Sequence, residues 1–232
     1  MNEDIQMKIH VLYILLAGFI LFSCKKKETD SSFYAMETEY FGWEKGRFVE
    51  YNVTAIFHDS LLNIHDTNNY QLKAVITDTF IDNSGRIANE YHRYTRNNSS
   101  EEWIHRDVWT GIIADNKAQL VEENQRIVKM IFKPRLGDTW NSNMYNLDEP
   151  RKARYTELNT TRQSGGFYFP KTASVEFYKY KTLIDDRYES EVYAFGIGMI
   201  EKKSRNLYYK FGNPVPVKGT ETYYTVTGYG KQ

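Results

Sequence analysis

The sequence predicts an all-β protein, folded as a single antiparallel meander that forms a barrel, a half-barrel or a sandwich. Aromatic residues make up 16% of the 232 residues, with 19 tyrosines and 13 phenylalanines, whereas there are 5 prolines. Aromatic and β-branched side chains suit a pleated, half-buried surface. Segments of alternating apolar and polar residues are separated by turn-forming residues about every ten positions, which is typical of barrels and sandwiches.

The first predicted strand is GRFVEYNVTAIFHD, residues 46–59. Tyr51 and Val53 fall on one face of this segment, and Asn52 and Thr54 fall on the other. A period of two predicts a strand with one buried face. Further strands are predicted, in chain order, at YQLKAVITDTF, GRIANEYHRYTR, EEWIHRDVWTGII, QRIVKMIF, SVEFYKYKTLI, ESEVYAFGIGMI and LYYKFG.

The segments between these strands are rich in turn-forming residues. Tight turns are predicted at DNSG, NNSS, IDD and KSRN. NKAQLVEENQR is compatible with a short helix, but its composition favours a strand and a turn. Residues 141–166 are polar and irregular and predict a long loop, NPVPVKGT is extended by its prolines, and YYTVTGY predicts a final edge strand.

An apolar run of twelve residues, Val11–Phe22, lies near the start of the chain. A membrane-spanning helix needs about 20 apolar residues, so the run fits the core of a secretory signal peptide instead. A start at Met1 gives an acidic leading segment, whereas a start at Met7 places Lys8 as the positive charge before the run. The sequence is compatible with translation from either methionine.

The run ends at Leu21-Phe22-Ser23-Cys24, which resembles the lipobox of bacterial lipoproteins. In that class the cysteine sulfur receives a diacylglycerol, and cleavage makes the cysteine the new N-terminus. The resemblance implies a signal peptide at 1–23, lipidation of Cys24, a flexible tether at 24–33 and an all-β domain at 34–232. Each buried methylene contributes about 0.8 kcal/mol, so two or three acyl chains would hold the protein at a membrane. The alternative is a core helix with a buried thiol.

Composition excludes several classes of function. The chain has 30 Lys+Arg and 30 Asp+Glu residues, so its formal net charge is zero. It therefore has no large positive electrostatic field that would attract nucleic acid. The chain has 1 cysteine, so a lipidated Cys24 leaves no thiol for a disulfide, a nucleophile or a cysteine-rich metal site. No nucleotide-binding loop or serine-hydrolase motif is present in the sequence. We expect a protein without cofactor that is not an enzyme.

The segment around NNSS, residues 97–100, raises the question of a metal site. A four-residue loop there would pair His92 with His105, and Glu90 with Asp107. Zinc prefers imidazole and carboxylate ligands, so this face is a candidate metal constellation. The alternative is a solvated face lined with a ladder of charges and with Tyr94 packed on Trp103.

A second polar stretch, FHDSLLNIHD, contains two more histidines and a candidate glycosylation site. His58 and His65 are seven residues apart and could be ligands, although a polar connection more often exposes such histidines to solvent. Asp59-Ser60-Leu61 resembles the sequon at which Bacteroidota attach O-glycans to exported proteins, which implies glycosylation of Ser60.

Three blocks together resemble small lipoproteins of the Bacteroidota that have no assigned reaction. These blocks are YFGWEKGRFVEYNV, FKPRLGDTWN and VYAFGIGMIEKK, and they span most of the mature chain. The matching positions are Gly46, Tyr51, Val53, Pro134, Gly137, Thr139, Trp140, Gly196 and Gly198. The resemblance implies an all-β, exported and lipid-anchored protein.

The first functional hypothesis is a non-enzymatic binding or interaction module with an aromatic-lined concavity for a small apolar or carbohydrate ligand. It predicts a cavity of about 300 Å³ or more, and its candidate side chains are Tyr94, Trp103, Trp109 and Trp140. Core packing is the alternative role for these four residues. The second hypothesis is a scaffold or assembly partner of an envelope complex, and the third is a metal-dependent hydrolase at the His92–His105 hairpin. The expected location is the cell envelope, with a lipid anchor in the outer membrane, on its periplasmic face or at the cell surface.

Overall fold

The computed structural model describes residues 37–232 of the chain. The predicted signal peptide at 1–23, the predicted tether at 24–33 and Cys24 lie outside the described residues. The described residues are all-β apart from one short 3₁₀ helix, Thr38–Tyr40, which confirms the predicted fold class. Between residues 37 and 232, no helix is long and apolar enough to cross a membrane.

Twelve strands account for most of the described chain. Their bounds are β1 (Arg47–Asp59), β2 (Ile64–Ile81), β3 (Ile87–Arg96), β4 (Ile104–Ala114), β5 (Lys117–Glu122), β6 (Gln125–Ile131), β7 (Thr139–Asn141), β8 (Lys152–Ser164), β9 (Phe167–Lys181), β10 (Asp185–Ala194), β11 (Gly198–Tyr209) and β12 (Pro216–Lys231).

The strands form one antiparallel sheet in the order β6-β5-β4-β3-β2-β1-β12-β11-β10-β9-β8-β7. Neighbours in the sheet are neighbours in the sequence, except that β1 pairs with β12 along its whole length. This is an up-and-down arrangement. The predicted meander is confirmed, and of the predicted shapes it is the barrel that the sheet nearly completes.

The two ends of the sheet, β6 and β7, meet at a seam that nearly closes the barrel. The backbone N–H of Val128 donates to the carbonyl of Ser142 at 2.8 Å. The indole N–H of Trp140 donates to the carbonyl of Val128 at 2.9 Å. These bonds satisfy backbone groups that an open edge would leave unpaired.

The turn chemistry explains why β5 and β6 are strands. Asp115 and Asn116 precede β5 with positive φ angles, and Glu123 and Asn124 follow it in the same left-handed region. Asparagine and aspartate tolerate that region well, and it suits the tight turns of a hairpin. The predicted strand and turn at NKAQLVEENQR are therefore confirmed.

Four predictions about the C-terminal half were wrong. ESEVYAFGIGMI is not one strand, because a turn at residues 195–197 joins β10 to β11. Residues 141–166 include strand β8, YYTVTGY lies in β12 between β1 and β11, and KSRN lies inside β11. β8 has a face that is exposed over most of its length, so its apolar alternation is short and resembles that of a loop. Pairing with strands on both sides supplies the stability that the local sequence does not indicate.

The strands differ in length, and this difference shapes the molecule. Glu122, at the end of β5, lies 4.0 Å from Lys202 of β11, measured from Oε2 to Nζ. β11 continues from Lys202 to Tyr209, which is about 23 Å at the rise of about 3.3 Å per strand residue. The paired strands β1, β2, β9, β10, β11 and β12 therefore extend past the β5–β6 hairpin as a wall.

The core contains two groups of buried side chains. The larger group includes Trp140 and Tyr155, whose rings pack with centroids 5.0 Å apart beside the seam. The second group is centred on Tyr51, which donates to the carbonyl of Met199 at 2.8 Å. Burying large aromatic side chains accounts for much of the apolar area that the fold removes from water.

Candidate functional site

The candidate site is an open groove on the wall, with a volume of about 440 Å³. The residues that line it are mostly polar or aromatic. They are Arg151, Tyr178, Arg187, Tyr188, Glu189, Ser204, Arg205, Asn206 and Thr220.

Strand register sets which of these side chains face one another. Glu189 of β10 lies opposite Tyr178 of β9 and opposite Ser204 of β11. Arg187, two residues before Glu189, lies opposite Asn206. Directly opposed residues share a face of an antiparallel sheet, and residues two apart on one strand do so as well. The groove thus has arginine, carboxylate, amide and hydroxyl groups beside a tyrosine ring.

The arginines of the groove are partly engaged by protein groups. Arg151 forms a salt bridge with Glu189, and its guanidinium carbon lies 5.9 Å from the centre of the Tyr178 ring. Arg187 donates to the Tyr208 hydroxyl at 3.0 Å and to Asp185 at 3.2 Å. The Arg187 side chain is nevertheless 39% exposed. Donors and an aromatic face are therefore available to a bound molecule.

The floor of the groove is an ion cluster formed by Glu122, Lys129, Arg151, Glu189, Glu191 and Lys202. Lys129 donates to Glu122 and to Glu191, each at 2.7 Å. The Nζ of Lys202 lies 3.3 Å from Glu191 and 3.5 Å from Glu189. A depression of about 290 Å³ joins this cluster to the groove, since Arg151, Glu189 and Ser204 border both.

The charges within the ion cluster hold each other ionised. Burial alone would raise the pKa of Glu189, but Lys202 and Arg151 lower it to about 2. Burial would likewise lower the pKa of Lys202, but Glu122 and Glu191 raise it well above its ordinary value. A carboxylate and an ammonium in these states are fixed charges near neutral pH and are poorly suited to proton transfer. The ion cluster is instead suited to orienting the polar groups of a molecule bound in the groove.

Acid is expected to destabilise the protein through this cluster. A carboxyl whose folded pKa is depressed contributes stability above its unfolded pKa, and loses it as pH falls through the folded value. For Glu189 the loss runs from about pH 4.5 to about pH 2. The free energy of unfolding, measured in urea across this range, should fall less steeply in Glu189→Gln than in wild type. Glu102→Gln, which alters an exposed carboxyl, serves as the control. Equal slopes in all three proteins would show that Glu189 does not contribute to the loss of stability in acid.

Beneath the ion cluster, the barrel encloses a cavity of about 70 Å³. It is lined by aromatic side chains, among them Tyr51, Tyr91, Trp109 and Tyr193, by aliphatic side chains, and by charged residues that include four members of the ion cluster, Glu122, Lys129, Glu191 and Lys202. Sites for drug-sized ligands are about 300–1,000 Å³, so the interior does not provide the predicted cavity. The groove reaches the predicted volume.

The four aromatic residues predicted to bind a ligand do not come together. Trp109 borders the enclosed cavity. Trp140 is buried at the seam. Trp103 packs under Arg96, whose guanidinium carbon is 4.1 Å from the ring centre. The remaining candidate, Tyr94, packs edge-on against a histidine ring with a centroid distance of 5.4 Å. The aromatic face of the groove belongs to Tyr178 instead.

The predicted register of the β3–β4 hairpin was wrong. His92 lies opposite Val108, and Tyr94 lies opposite His105. The connection spans residues 97–103, because the carboxylate of Glu101 accepts hydrogen bonds from Asn97 and Asn98 within the loop.

The new register separates the predicted metal constellation. Asp107 lies opposite Arg93 and accepts two hydrogen bonds from it, at 2.5 and 2.6 Å. Glu90 contacts His92 at 3.1 Å, and the His92 and His105 rings have centroids 5.5 Å apart. In the described part of the chain, no group of three or more His, Cys, Asp or Glu side chains is placed to hold a metal ion.

The predicted glycosylation residue, Ser60, lies in the exposed turn between β1 and β2. Its backbone N–H donates to the carbonyl of Val217 at 2.8 Å. The Asp59 carboxylate accepts hydrogen bonds from the backbone N–H groups of Leu61 and Leu62. The side chain of Ser60 is therefore at the surface, and its modification stays a prediction.

The sequence analysis did not single out the groove residues. A signal for them was present: Arg187, Glu189 and Glu191 are spaced by two, which places three charges on one face of a strand. Tyr178 and Tyr180 on β9 show the same spacing. The signal becomes specific only when β9 and β10 are known to be paired.

No protein-family model matches the sequence, and no curated protein matches it. Among solved structures, a protein of Bacteroides fragilis NCTC 9343 is described as exported, with a YmcC-like fold. It is 11% identical, with a TM-score of 0.45, and the match covers 82% of this chain and 98% of that chain. A protein of Parabacteroides distasonis ATCC 8503, described as a lipoprotein, is 10% identical, with a TM-score of 0.38 and the same coverage. With both TM-scores below 0.5, neither likeness supports an inference about this chain.

Proposed function

We propose that this chain is a lipid-anchored, non-enzymatic protein of the cell envelope that binds a carbohydrate in the groove. The observation that carries the proposal is the groove itself, in which the Tyr178 ring adjoins hydrogen-bonding groups of Arg187, Ser204 and Asn206. Its volume of about 440 Å³ is in the range of small-molecule sites.

The chemistry of the groove favours a hydroxyl-rich ligand over an apolar one. A sugar ring has an apolar face that packs on an aromatic ring, and hydroxyls that need donors and acceptors around their edge. The groove supplies donors from Arg187 and Asn206, and acceptors from Glu189 and Ser204. An apolar ligand would leave these polar groups desolvated without partners, which costs free energy.

The location in the proposal rests on the sequence. Cys24 follows an apolar leader in a lipobox-like context. Lipidation there would tether the domain to the outer membrane through a polar segment, on the periplasmic face or at the cell surface. Intact mass spectrometry of the protein from its native membranes tests this. A mature chain that begins at Cys24 and carries acyl groups is the expected result.

Replacing Tyr178 with alanine is expected to weaken carbohydrate binding about tenfold, because loss of an aromatic contact costs about 0.5–1.5 kcal/mol beyond the area lost. Titration calorimetry against a panel of soluble envelope oligosaccharides measures the effect. Tyr145→Ala, which removes an exposed tyrosine outside the groove, is the matched control. Equal binding by both variants and wild type would refute the groove as the site, and no binding by wild type to any sugar would refute the carbohydrate ligand.

The alternative function, a scaffold or assembly partner of an envelope complex, is favoured by a different observation. Three neighbouring hairpin turns at the end of the wall carry exposed apolar side chains. These are Leu61, Leu62, Leu183, Ile184, Phe211 and Val215.

A scaffold role predicts that the protein migrates as part of a larger complex after mild detergent extraction from its native membranes. The double variant Leu183→Ser/Phe211→Ser should then migrate at its own mass. Ile87→Ser, which alters an equally exposed side chain outside these turns, should remain in the complex. Migration of wild type at its own mass would exclude this alternative.

A further inference from the structure

Two histidines on the wall form a contact that the proposed function does not use. His58 of β1 lies directly opposite His65 of β2. Their Nδ1 atoms are 2.9 Å apart. The two residues were expected in a solvated connection, and this expectation was wrong, because both belong to strands and His58 is only 3% exposed.

A carboxylate fixes the orientation and tautomer of the buried ring. The Nε2 of His58 lies 3.1 Å from Oε1 of Glu221, and the other oxygen of Glu221 accepts a hydrogen bond from the Tyr223 hydroxyl. A carboxylate only accepts, so His58 must donate to it through Nε2–H. The neutral imidazole then keeps a lone pair on Nδ1, directed at His65. A carboxylate on the distal nitrogen is the usual outer-shell partner of a metal-binding histidine.

The relative position of the two rings indicates convergence on a common point. In a straight hydrogen bond at this nitrogen–nitrogen distance, the ring centres would be about 5.2 Å apart. If both lone pairs met at a metal about 2.05 Å from each nitrogen, the centres would be about 4.5 Å apart. The observed centroid distance is 4.4 Å, with the ring planes at 62°.

The same distances select among metals. Two nitrogens 2.9 Å apart and about 2.05 Å from one ion subtend an angle of about 90° at it. Right-angled nitrogen donors suit the tetragonal geometry of Cu²⁺ or Ni²⁺ better than the tetrahedral geometry of Zn²⁺, and imidazole binds Cu²⁺ most strongly among these ions.

We propose that His58 and His65 form a two-histidine site for Cu²⁺, with Glu221 as the outer-shell group that orients His58. Two protein nitrogens occupy adjacent positions on the ion, and water or an external ligand completes its coordination. Access is through His65, which is exposed. The site is on the opposite face of the sheet from the groove: Thr220, which lines the groove, pairs with Phe57, the neighbour of His58. The proposal is therefore independent of carbohydrate binding.

The test is a Cu²⁺ titration of the full chain carrying Cys24→Ser, which removes the competing thiol. Electron paramagnetic resonance should show one bound Cu²⁺ with hyperfine coupling to two nitrogens. Adding His65→Asn should weaken binding at least tenfold, because one of the two ligands is lost. Since His65 is exposed, this variant is expected to keep the melting temperature of the parent.

The matched control is His105→Asn, which breaks the other close histidine pair, His92–His105. It should leave the Cu²⁺ affinity unchanged. Glu221→Gln should weaken binding about 10- to 100-fold through the loss of the outer-shell carboxylate. The proposal is overturned if His65→Asn binds Cu²⁺ as tightly as the parent, if His105→Asn abolishes binding, or if no nitrogen-coordinated Cu²⁺ forms.

Discussion

Lys129→Met is expected to lower the free energy of unfolding by about 3–5 kcal/mol, because it leaves buried carboxylates without their main partner. Lys129 bridges Glu122 and Glu191 at 2.7 Å each, and its side chain is 4% exposed. Methionine matches the length of lysine and leaves little empty volume, so the loss reports charge and not a cavity. Urea denaturation followed by circular dichroism measures the change.

The matched control is Lys203→Met, which removes an exposed lysine one residue beyond Lys202. Surface substitutions of this kind change stability by less than about 0.5 kcal/mol. If Lys129→Met were no more destabilising than Lys203→Met, then Lys202 alone would satisfy both carboxylates. The ion cluster would then tolerate the loss of one cation, and Lys129 would not be the main partner of the buried carboxylates.

Trp140→Ala is expected to lower the free energy of unfolding by about 3–5 kcal/mol, the usual range for removing a buried tryptophan. The variant loses ring packing against Tyr155 and the hydrogen bond from the indole to the carbonyl of Val128. Because that bond spans the seam, amide hydrogen exchange should accelerate most in β6 and β7. Exchange followed by mass spectrometry locates the effect.

Trp103→Ala is the control, since this ring is only partly buried and lies in the β3–β4 connection. It should change stability less and leave exchange at the seam unaltered. This pair also tests the sequence-based hypothesis that Trp140 binds a ligand. Loss of carbohydrate binding in Trp140→Ala, without a change in stability or exchange, would support that hypothesis and contradict a structural role.

The seam and the groove are linked through the ion cluster. Lys129 belongs to β6, one end of the sheet, and it bonds to Glu191 of β10 across the barrel. Arg151 follows β7, the other end, and pairs with Glu189. Charges contributed by both ends of the sheet therefore meet at the floor of the groove, so closure of the barrel assembles the candidate site.

The sequence alone determined the fold class and most strand positions. Alternation along β1, with Tyr51 and Val53 against Asn52 and Thr54, is a local pattern with a period of two, and it survives in the structure because one face of β1 is buried. The turn residues around β5 were equally informative, because tolerance of a positive φ angle is an intrinsic property of asparagine and aspartate. The lipobox-like segment at Cys24 is also a local pattern, and it stays a prediction about location.

The tertiary structure decided which strands pair and in what register, because pairing depends on contacts between distant segments. The hydrogen bonds that Glu101 accepts lengthen the β3–β4 connection, and this separates Asp107 from the histidines it was predicted to join. β12 became central only by pairing with β1, far away in the sequence. The groove, the ion cluster and the contact between His58 and His65 all depend on such pairings. Sequence spacing shows that these side chains share a face, and the register alone determines that they touch.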